Sequence, residues 1–234
     1  MTETLLITAC INPTTNIALQ VSQPLVRLES YKKSLHFWID HSDFKNIIFC
    51  ENSNFDYDFN EFITKAKTAS KNLEVIRFIA SEGGQVYGKG FSEGEIIEYA
   101  LLNSSLLSDA SSFYKVTGMR IVHNINALLK QHSLGPTFFN KAAPFADMAD
   151  TRFFKVSREF FSKELQTVYK HVRDKELIYM EHLYLKILKA SSVPSFKIYP
   201  DIRGISGSMG TVESKTKLGF FLRNIATKFG FYTV

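Results

Sequence analysis

The 234-residue sequence has few cysteines and no long apolar run. Its two cysteines, Cys10 and Cys50, each end an apolar stretch, which is typical of small core residues in a reducing cytoplasm, and we expect no disulfide between them. No stretch approaches the roughly 20 apolar residues that span a bilayer. The N-terminal MTETLLITAC lacks the basic and long apolar regions of a secretory signal. We therefore expect a cytoplasmic protein.

Several motifs that would define a function are also missing. The chain has no zinc-finger spacing, no dense basic run and no aromatic-rich RNA-binding signature, so we expect no nucleic-acid partner. Its histidines have no metal-ligand spacing, and there is no G-x-S-x-G elbow. What charge excess exists is mild, with a net charge of +5. A mild basic excess is compatible with anionic ligands such as nucleotides, phosphates or acidic lipids.

Over the first half of the chain, short apolar runs alternate with helix-like patterns. The apolar runs predict four strands, at 5–11, 46–53, 73–80 and 113–122. Apolar residues at helical spacing predict helices between them, at 27–41, 59–70 and 92–107. Ser92 and Glu95 form a capping-box pattern at the start of the last helix. Because strands alternate with helices, we predict an α/β fold with a parallel sheet of βαβ units.

The second half of the chain has a different pattern. It predicts helices at 125–132 and 175–191, and a short strand at 153–157 followed by a helix that Ser157 opens. Gly and Ser dominate residues 201–214, which predicts a loop that acts as a lid or as a linker. Residues 215–234 combine four cations and no acid with many apolar side chains. This pattern is typical of a helix on an anionic membrane surface, or of one packed on the domain or on a second subunit.

Polar residues follow the predicted strands, where ligands bind in parallel sheets. They are Thr8 and Asn12 after the first strand, and Glu51 and Asn52 after the second. The glycine-rich segment 83–97 precedes and enters a predicted helix and contains Lys89, Gly90 and Glu93. Glycines and a helix N-terminus favour an anion such as a phosphate, although a flexible, well-capped surface loop has the same composition.

The stretch FYKVTGMRIV, residues 113–122, reads as a buried strand that is broken in the middle. Lys115, Thr117, Gly118 and Arg120 interrupt its apolar run. Two cations beside a hydroxyl and a small residue can clamp a diphosphate. The alternative is that both cations are strand-end charges paired with nearby acids.

Two further stretches contain candidate acids and bases. Asp147 and Asp150 are three residues apart beside Arg152, so they could hold a metal or act as a base, or Asp150 could brace Arg152. Glu181 and His182 lie among apolar residues of a predicted helix. A carboxyl in such a place can have a raised pKa and act as a base, and the alternative is an ordinary polar helix face.

Seven stretches in this order resemble a bacterial glycosyltransferase of surface-polysaccharide synthesis (capsule, O-antigen or lipooligosaccharide). They are LLITACINP, RLESYKKSLHFWI, IIFCENSNFD, GKGFSEGEIIEYAL, FYKVTGMRIV, ADTRFF and MEHLYLKIL. The resemblance implies a Rossmann-like GT-A-type fold, a mostly parallel sheet flanked by helices, over residues 1–200, with a helical C-terminal extension at 201–234. It implies a nucleotide-sugar donor and a saccharide or lipid-linked acceptor.

This chain departs from the resemblance at one place. Such enzymes typically carry Asp-x-Asp, which holds a divalent metal, where residues 115–120 read Lys-Val-Thr-Gly-Met-Arg. We therefore expect no metal and no other cofactor, and expect Lys115 and Arg120, with Lys89, to stabilise the leaving group. Asp150, Glu181 and His182 are the candidates to deprotonate the acceptor hydroxyl, with Asp147 behind them.

Two other functions stay open at this point. One is another phosphate-handling group transferase on a similar sheet. The other is a non-catalytic nucleotide- or sugar-binding partner of a polysaccharide assembly complex. The segment 215–234 adds the prediction of peripheral contact with the inner face of the cytoplasmic membrane, and a homo-oligomer is a further expectation.

Overall fold

The computed structural model describes residues 3–13, 20–131, 135–207, 210–213 and 216–234. Its strands are β1 (Thr4–Ala9), β2 (Asn46–Glu51), β3 (Asn72–Arg77), β4 (Ser112–Thr117), β5 (Arg120–Val122), β6 (Phe153–Ser157), β7 (Ile202–Ile205) and β8 (Val212–Glu213). The central sheet has the order β3-β2-β1-β4-β6. In it β1 to β4 pair in parallel, and β6 is antiparallel to β4. The predicted α/β fold with a mostly parallel sheet is confirmed.

Helices cover the sheet and continue past it to the C-terminal segment. They are α1 (Pro24–His41), α2 (Asn60–Thr68), α3 (Gly83–Tyr87), α4 (Lys89–Asn103), α5 (Ser105–Ser108), α6 (Ile125–Leu129), α7 (Arg158–Phe160), α8 (Met180–Ala190) and α9 (Lys217–Lys228). A π-helical turn, Phe161–Leu165, and two 3-10 turns, Val168–His171 and Asp174–Glu176, lie between α7 and α8. None of the described helices combines the length and the apolar content needed to cross a membrane.

The core lies on both faces of the central sheet, because alternate residues of each strand point to opposite faces. Leu5 and Ile7 of β1 join one apolar cluster, which α1 completes with Trp38. Leu6 joins a second cluster, which contains Ile97 of α4. Burial on both faces explains why these strands read as continuous apolar runs.

The predicted fourth strand is divided in two. β4 ends at Thr117, and β5 begins at Arg120 in a second, antiparallel sheet of order β5-β7-β8. At the break, the backbone N–H of Gly118 donates to the carbonyl of Thr8 at 2.9 Å. A Cβ on residue 118 would lie 2.4 Å from that carbonyl oxygen and 2.6 Å from the Tyr31 ring. Only glycine fits there, so the interruption in the apolar run marks a change of sheet.

The predicted capping box at Ser92 is wrong. α4 begins at Lys89, which places Ser92 inside the helix. Gly88 precedes the helix with a φ of 115°, a conformation that favours glycine. The first free backbone N–H of the helix, that of Lys89, donates to Asp174 at 2.9 Å. Asp174, which is distant in sequence, therefore caps this helix, and no local sequence pattern predicts this contact.

Three other boundaries differ from the prediction. The helix predicted at 175–191 begins at Met180, because Leu177 adopts a left-handed φ of 61°. The helix predicted at 125–132 ends at Leu129, and residue 132 lies outside the described residues. The loop predicted at 201–214 contains β7 and β8. β7 pairs with β5 and β8 pairs with β7, and this pairing makes strands of a stretch that is too short and Gly-rich to be predicted as strands. Residues 208, 209 and 214 are outside the described residues.

The two units predicted at 1–200 and 201–234 stay a prediction. β7 follows the boundary and pairs with β5 before it, in the register Arg120 to Gly204.

Cys10 and Cys50 are both free thiols, as expected.

Candidate functional site

The centre of the candidate site is a carboxylate held over the carboxyl ends of β1 and β4. Glu93 reaches there from α4, and its Oε1 accepts from the hydroxyls of Thr8 at 3.1 Å and Thr117 at 2.9 Å. Thr8 and Thr117 are partners in the register of the two strands. Lys115 Nζ donates to the same oxygen. Four predicted donor-site residues, Thr8, Glu93, Lys115 and Thr117, are thus brought together.

Lys115 lies beneath this carboxylate and is fully buried. Besides Glu93, its ammonium contacts the Thr117 hydroxyl at 3.0 Å and donates to the Thr151 carbonyl at 2.7 Å. An ammonium has three N–H donors, and these contacts use all three. In this arrangement Lys115 positions Glu93 and the end of β4.

Electrostatics keeps Glu93 in its charged form. Burial alone would raise its pKa, but the Lys115 charge and hydrogen bonds from Lys115, Thr117 and Thr8 outweigh burial and lower the pKa. Burial lowers the pKa of Lys115, against the opposing pull of Glu93. Glu93 and Lys115 therefore form a buried ion pair at the ends of β1 and β4.

A chain of alternating charges continues from this centre. Arg120, at the start of β5, donates to both oxygens of Glu213, at 3.3 and 3.1 Å. Arg152 donates to Glu213 at 3.2 Å and, through Nε and Nη2, to Asp150 at 2.9 and 2.8 Å. Burial would raise the pKa of Glu213, but the two arginines lower it. Glu213 therefore holds two guanidinium groups on one side of the site.

Asp150 and Asp147 have different partners. Asp150 is buried and also accepts from the backbone N–H of Arg152 at 3.1 Å, which matches the alternative in which it braces that arginine. Its negative charge raises the pKa of Arg152. Asp147 is exposed and pairs with Lys189 at 3.4 Å. Within the described ranges, no three His, Cys, Asp or Glu side chains group closely enough to hold a metal ion.

Glu181 is a site carboxylate whose pKa is raised. It lies in the first turn of α8, where its Oε1 accepts from the Thr151 hydroxyl at 3.0 Å. Burial raises the pKa, and the charge of Glu93 adds to the effect. A raised pKa makes a carboxylate a stronger base. The adjacent His182 is half-buried and packs against Tyr179, with ring centroids 5.5 Å apart.

Lys89 and Gly90 lie at the start of α4, on the side of the site nearest α8. Burial lowers the pKa of Lys89, while the negative charges of Asp174 and Glu181 oppose this shift. The ammonium is therefore within electrostatic reach of Glu181. Gly90 packs against Val172 and Met180.

Glu51 joins the loops that follow β1 and β2. It is buried and accepts backbone N–H groups from Ile11 at 2.9 Å, Ser53 at 2.9 Å and Phe55 at 3.0 Å. A carboxylate with three such donors shapes both loops. Glu51 thus sets the wall of the site on the β2 side.

Asn12 and Asn52 stand on the two loops that Glu51 joins. Asn12 is exposed, and its backbone N–H donates to the Ser53 hydroxyl at 3.0 Å. Asn52 is buried, and its Oδ1 accepts no hydrogen bond from the described residues. The site residues predicted from the strand ends therefore lie along one edge of the sheet.

Two residues of this region, Arg27 on α1 and Glu213 on β8, were not predicted from the sequence. Arg27 is buried and donates to the carbonyls of Cys10 at 2.6 Å and Val21 at 3.0 Å, and to the Tyr31 hydroxyl at 3.1 Å. Its position on the apolar face of a predicted helix could have identified it, because a charged residue is rarely buried there without polar partners. Glu213 stands in a Gly-rich stretch and gives no local signal.

The sheet order, with the charged site at the carboxyl ends of β1 and β4, defines a Rossmann-like α/β fold of the GT-A type. No family model matches this sequence, and no curated protein matches it. Among solved structures, the chain is similar to the glycosyltransferase GlyE of Streptococcus pneumoniae TIGR4, with 13% identity and a TM-score of 0.51 over 83% of this chain and 45% of that one. The chain thus spans less than half of the pneumococcal protein.

A second similar structure matches nearly from end to end. It is a Bacillus anthracis protein described as a glucose-1-phosphate thymidylyltransferase, with 10% identity and a TM-score of 0.50 over 97% of this chain and 95% of that one. At these identities the likeness establishes the fold.

Proposed function

We propose that this chain is a glycosyltransferase that moves a sugar from a nucleotide-sugar donor to a saccharide or lipid-linked acceptor. The observation that carries the proposal is the pair of guanidinium groups, Arg120 and Arg152, held together by Glu213 beside the carboxyl end of β4. This is the edge of the sheet where ligands bind in such folds. A glycosyltransferase and a nucleotidyltransferase share the fold, which supports a nucleotide-linked substrate.

The two arginines stabilise the leaving group. When the bond between the sugar carbon and the phosphate oxygen breaks, the nucleotide takes the electron pair and gains negative charge. Fixed cations stabilise that charge because they need no reorganisation during the reaction. Arg120 and Arg152 supply fixed guanidinium charges, which Glu213 and Asp150 hold in place, and Lys89 adds a point charge. Lys115 acts on this step only through Glu93, as a positioning residue.

Glu181 is the base that accepts the acceptor's hydroxyl proton. The new bond joins that hydroxyl oxygen to the sugar carbon, and the released proton must go to a nearby group. The raised pKa of Glu181 suits this role, and Thr151 orients one of its oxygens. Asp150 is the weaker candidate, because its oxygens are engaged by Arg152.

Three narrower parts of the proposal have separate grounds. A role in bacterial surface-polysaccharide synthesis rests on the resemblance given above, and catalysis without a divalent metal rests on the departure from it at residues 115–120. A place at the inner face of the cytoplasmic membrane rests on the basic, apolar segment 215–234. The cations around Glu213 support the metal-free chemistry, since they can do the electrostatic work of a metal.

Calorimetric binding of a nucleotide panel (UDP, GDP, CMP, dTDP, ADP), each with and without EDTA, tests the donor site. We expect one nucleotide to bind, with an affinity that EDTA leaves unchanged and that Arg120→Ala lowers by about tenfold or more. Arg203→Ala is the matched control, because Arg203 pairs with Asp201 outside the charge chain. Binding that requires Mg²⁺ or Mn²⁺ would refute the metal-free chemistry. Binding of no nucleotide would refute the donor class.

A nucleotidyltransferase is the second candidate, favoured by the near-complete overlap with the Bacillus anthracis protein. Such an enzyme joins a nucleoside triphosphate to a sugar phosphate and releases pyrophosphate. Pyrophosphate release from a nucleoside triphosphate and a sugar 1-phosphate would establish this reaction. Release of a free nucleotide from a nucleotide-sugar only when an acceptor sugar is present would establish the glycosyltransferase.

A further inference from the structure

Helix α9 turns its apolar side chains toward solvent. Leu218, Phe221 and Leu222 are 66%, 59% and 55% exposed, and Phe229, which follows the helix, is 76% exposed. Their helical spacing places them in one stripe. A surface helix of a globular domain normally packs such a stripe against the core. In α9 only Thr227 is buried.

Polar contacts hold α9 in this orientation. Asn224 Oδ1 accepts the backbone N–H of Tyr199 at 3.0 Å, which fixes the inner side of the helix. Beyond the helix, Tyr232 is buried, and its carbonyl accepts the backbone N–H of Lys141 at 2.9 Å. The stripe therefore faces outward because specific hydrogen bonds hold the opposite side of the segment.

A separate part of the chain adds to the same surface. Phe145 is 82% exposed, and its ring centroid lies 5.4 Å from that of Phe231. Its φ of 62° is unfavourable for a residue with a Cβ, so the backbone is strained where it presents this ring. We call the whole surface the apolar face, which consists of Phe145, Leu218, Phe221, Leu222, Phe229 and Phe231.

The charges around the apolar face indicate what covers it. Residues 216–234 contain Lys217, Arg223 and Lys228 and no acidic side chain. Asp147, near Phe145, is paired with Lys189. A two-fold dimer through this face would bring cations against cations, because each copy contributes the same patch. A surface that is both apolar and anionic is complementary to it.

We propose that the apolar face docks this protein on a membrane that contains anionic lipids. α9 has 12 residues, or about 18 Å of helix, and lies in the plane of the leaflet with its apolar stripe among the acyl chains. Lys217 and Lys228 remain exposed and meet the lipid phosphates. The proposal concerns binding alone and does not depend on the reaction proposed above.

Vesicle flotation with the purified full chain tests the docking. Vesicles of phosphatidylcholine alone are compared with vesicles containing about one third phosphatidylglycerol. We expect binding to the anionic vesicles, lowered by at least about tenfold in Phe221→Ser/Phe229→Ser. Lys217→Gln/Lys228→Gln should lower it by about tenfold. Leu102→Ser is the matched control, since Leu102 is 73% exposed on α4 and should leave binding unchanged.

Four results would overturn the proposal. They are no binding to anionic vesicles, equal binding to both vesicle types, unchanged binding of the phenylalanine variant, and an equal loss in Leu102→Ser. Light scattering tests the other partner that could bind the apolar face, a second copy of this chain. A concentration-dependent dimer that Phe221→Ser/Phe229→Ser separates, without vesicle binding by the native chain, would assign the face to a second copy. Unfolding temperatures check that each variant is folded, and the comparison of vesicle types needs no variant.

Discussion

Replacing Lys115 with methionine removes the cation buried beneath the candidate site. The side chain of Lys115 is fully buried, and its ammonium contacts Glu93, Thr117 and the Thr151 carbonyl. Methionine has a similar shape and fills irregular space well, so the change removes the charge with little loss of packing. Glu93 then keeps only the hydroxyl donors of Thr8 and Thr117.

The expected loss in the free energy of unfolding is about 3 kcal/mol. Removing one partner of a buried ion pair costs about 3–5 kcal/mol, because the other charge stays buried without its partner. We expect the lower end of that range, because Glu93 is 18% exposed and retains two hydroxyl donors. The double variant Lys115→Met/Glu93→Gln should lose less than Lys115→Met alone, since no unpaired charge remains buried.

The loss should depend on pH in a defined direction. In the native protein the pKa of Glu93 is lowered, so its ionisation adds stability above the ordinary glutamate pKa, and that contribution is lost as the pH falls through the lowered value. Without Lys115, burial dominates and raises the pKa of Glu93. The charged form is then penalised, so the variant loses stability as the pH rises through the raised value. The difference between the two proteins should therefore grow from acidic to neutral pH.

Urea denaturation followed by circular dichroism, repeated between about pH 4 and pH 8, measures both effects. Lys32→Met is the control, because Lys32 pairs with Glu29 at 3.0 Å on the surface, and this change should lower stability far less than Lys115→Met. A loss below about 1 kcal/mol in Lys115→Met at neutral pH would refute the reasoning. So would a loss that is the same at every pH.

Three further changes have defined outcomes. Glu181→Gln should lower the transfer rate by about 100-fold or more while calorimetry shows an unchanged nucleotide affinity, and a loss below about tenfold would remove Glu181 as the base. Gly118→Ala should lower stability by about 1–3 kcal/mol in thermal unfolding, since its Cβ would meet the Thr8 carbonyl at 2.4 Å, and an unchanged midpoint would contradict that contact. Glu51→Gln should cost about 2 kcal/mol in urea denaturation because an amide accepts at only one oxygen, and a neutral result would show that the loops hold without the carboxylate.

Much of the central sheet could be predicted because its signals are local. The run Asn46–Glu51 is buried at almost every position, so it reads as a strand without reference to the rest of the chain. Ser157 also acts as predicted, with its hydroxyl accepting the backbone N–H of Phe160 at 3.1 Å. In contrast, α4 takes its cap from Asp174, which is 85 residues away from Lys89.

The candidate site was predictable only in part, for the same reason. Thr8, Lys115 and Thr117 could be predicted as site residues from their places near the ends of strands, because ligands bind beyond the carboxyl ends of the strands in parallel sheets. The partner of Arg120 is Glu213, 93 residues further along the chain. Glu213 reaches the site because β7 pairs with β5 and β8 pairs with β7. Strands of four and two residues are too short to show a periodicity in the sequence.

Tyr199 interacts both with helix α9 and with the charged site. Its backbone N–H holds Asn224 of α9, and its ring lies 4.9 Å from that of Tyr232. On its other side, burial and the charge of Asp150 raise the pKa of Tyr199 to about 12, while Arg152 opposes the shift. Tyr232 also interacts electrostatically with Asp150 and Arg152, so these two neighbouring tyrosines link the arginines to the segment that we propose to rest on lipid.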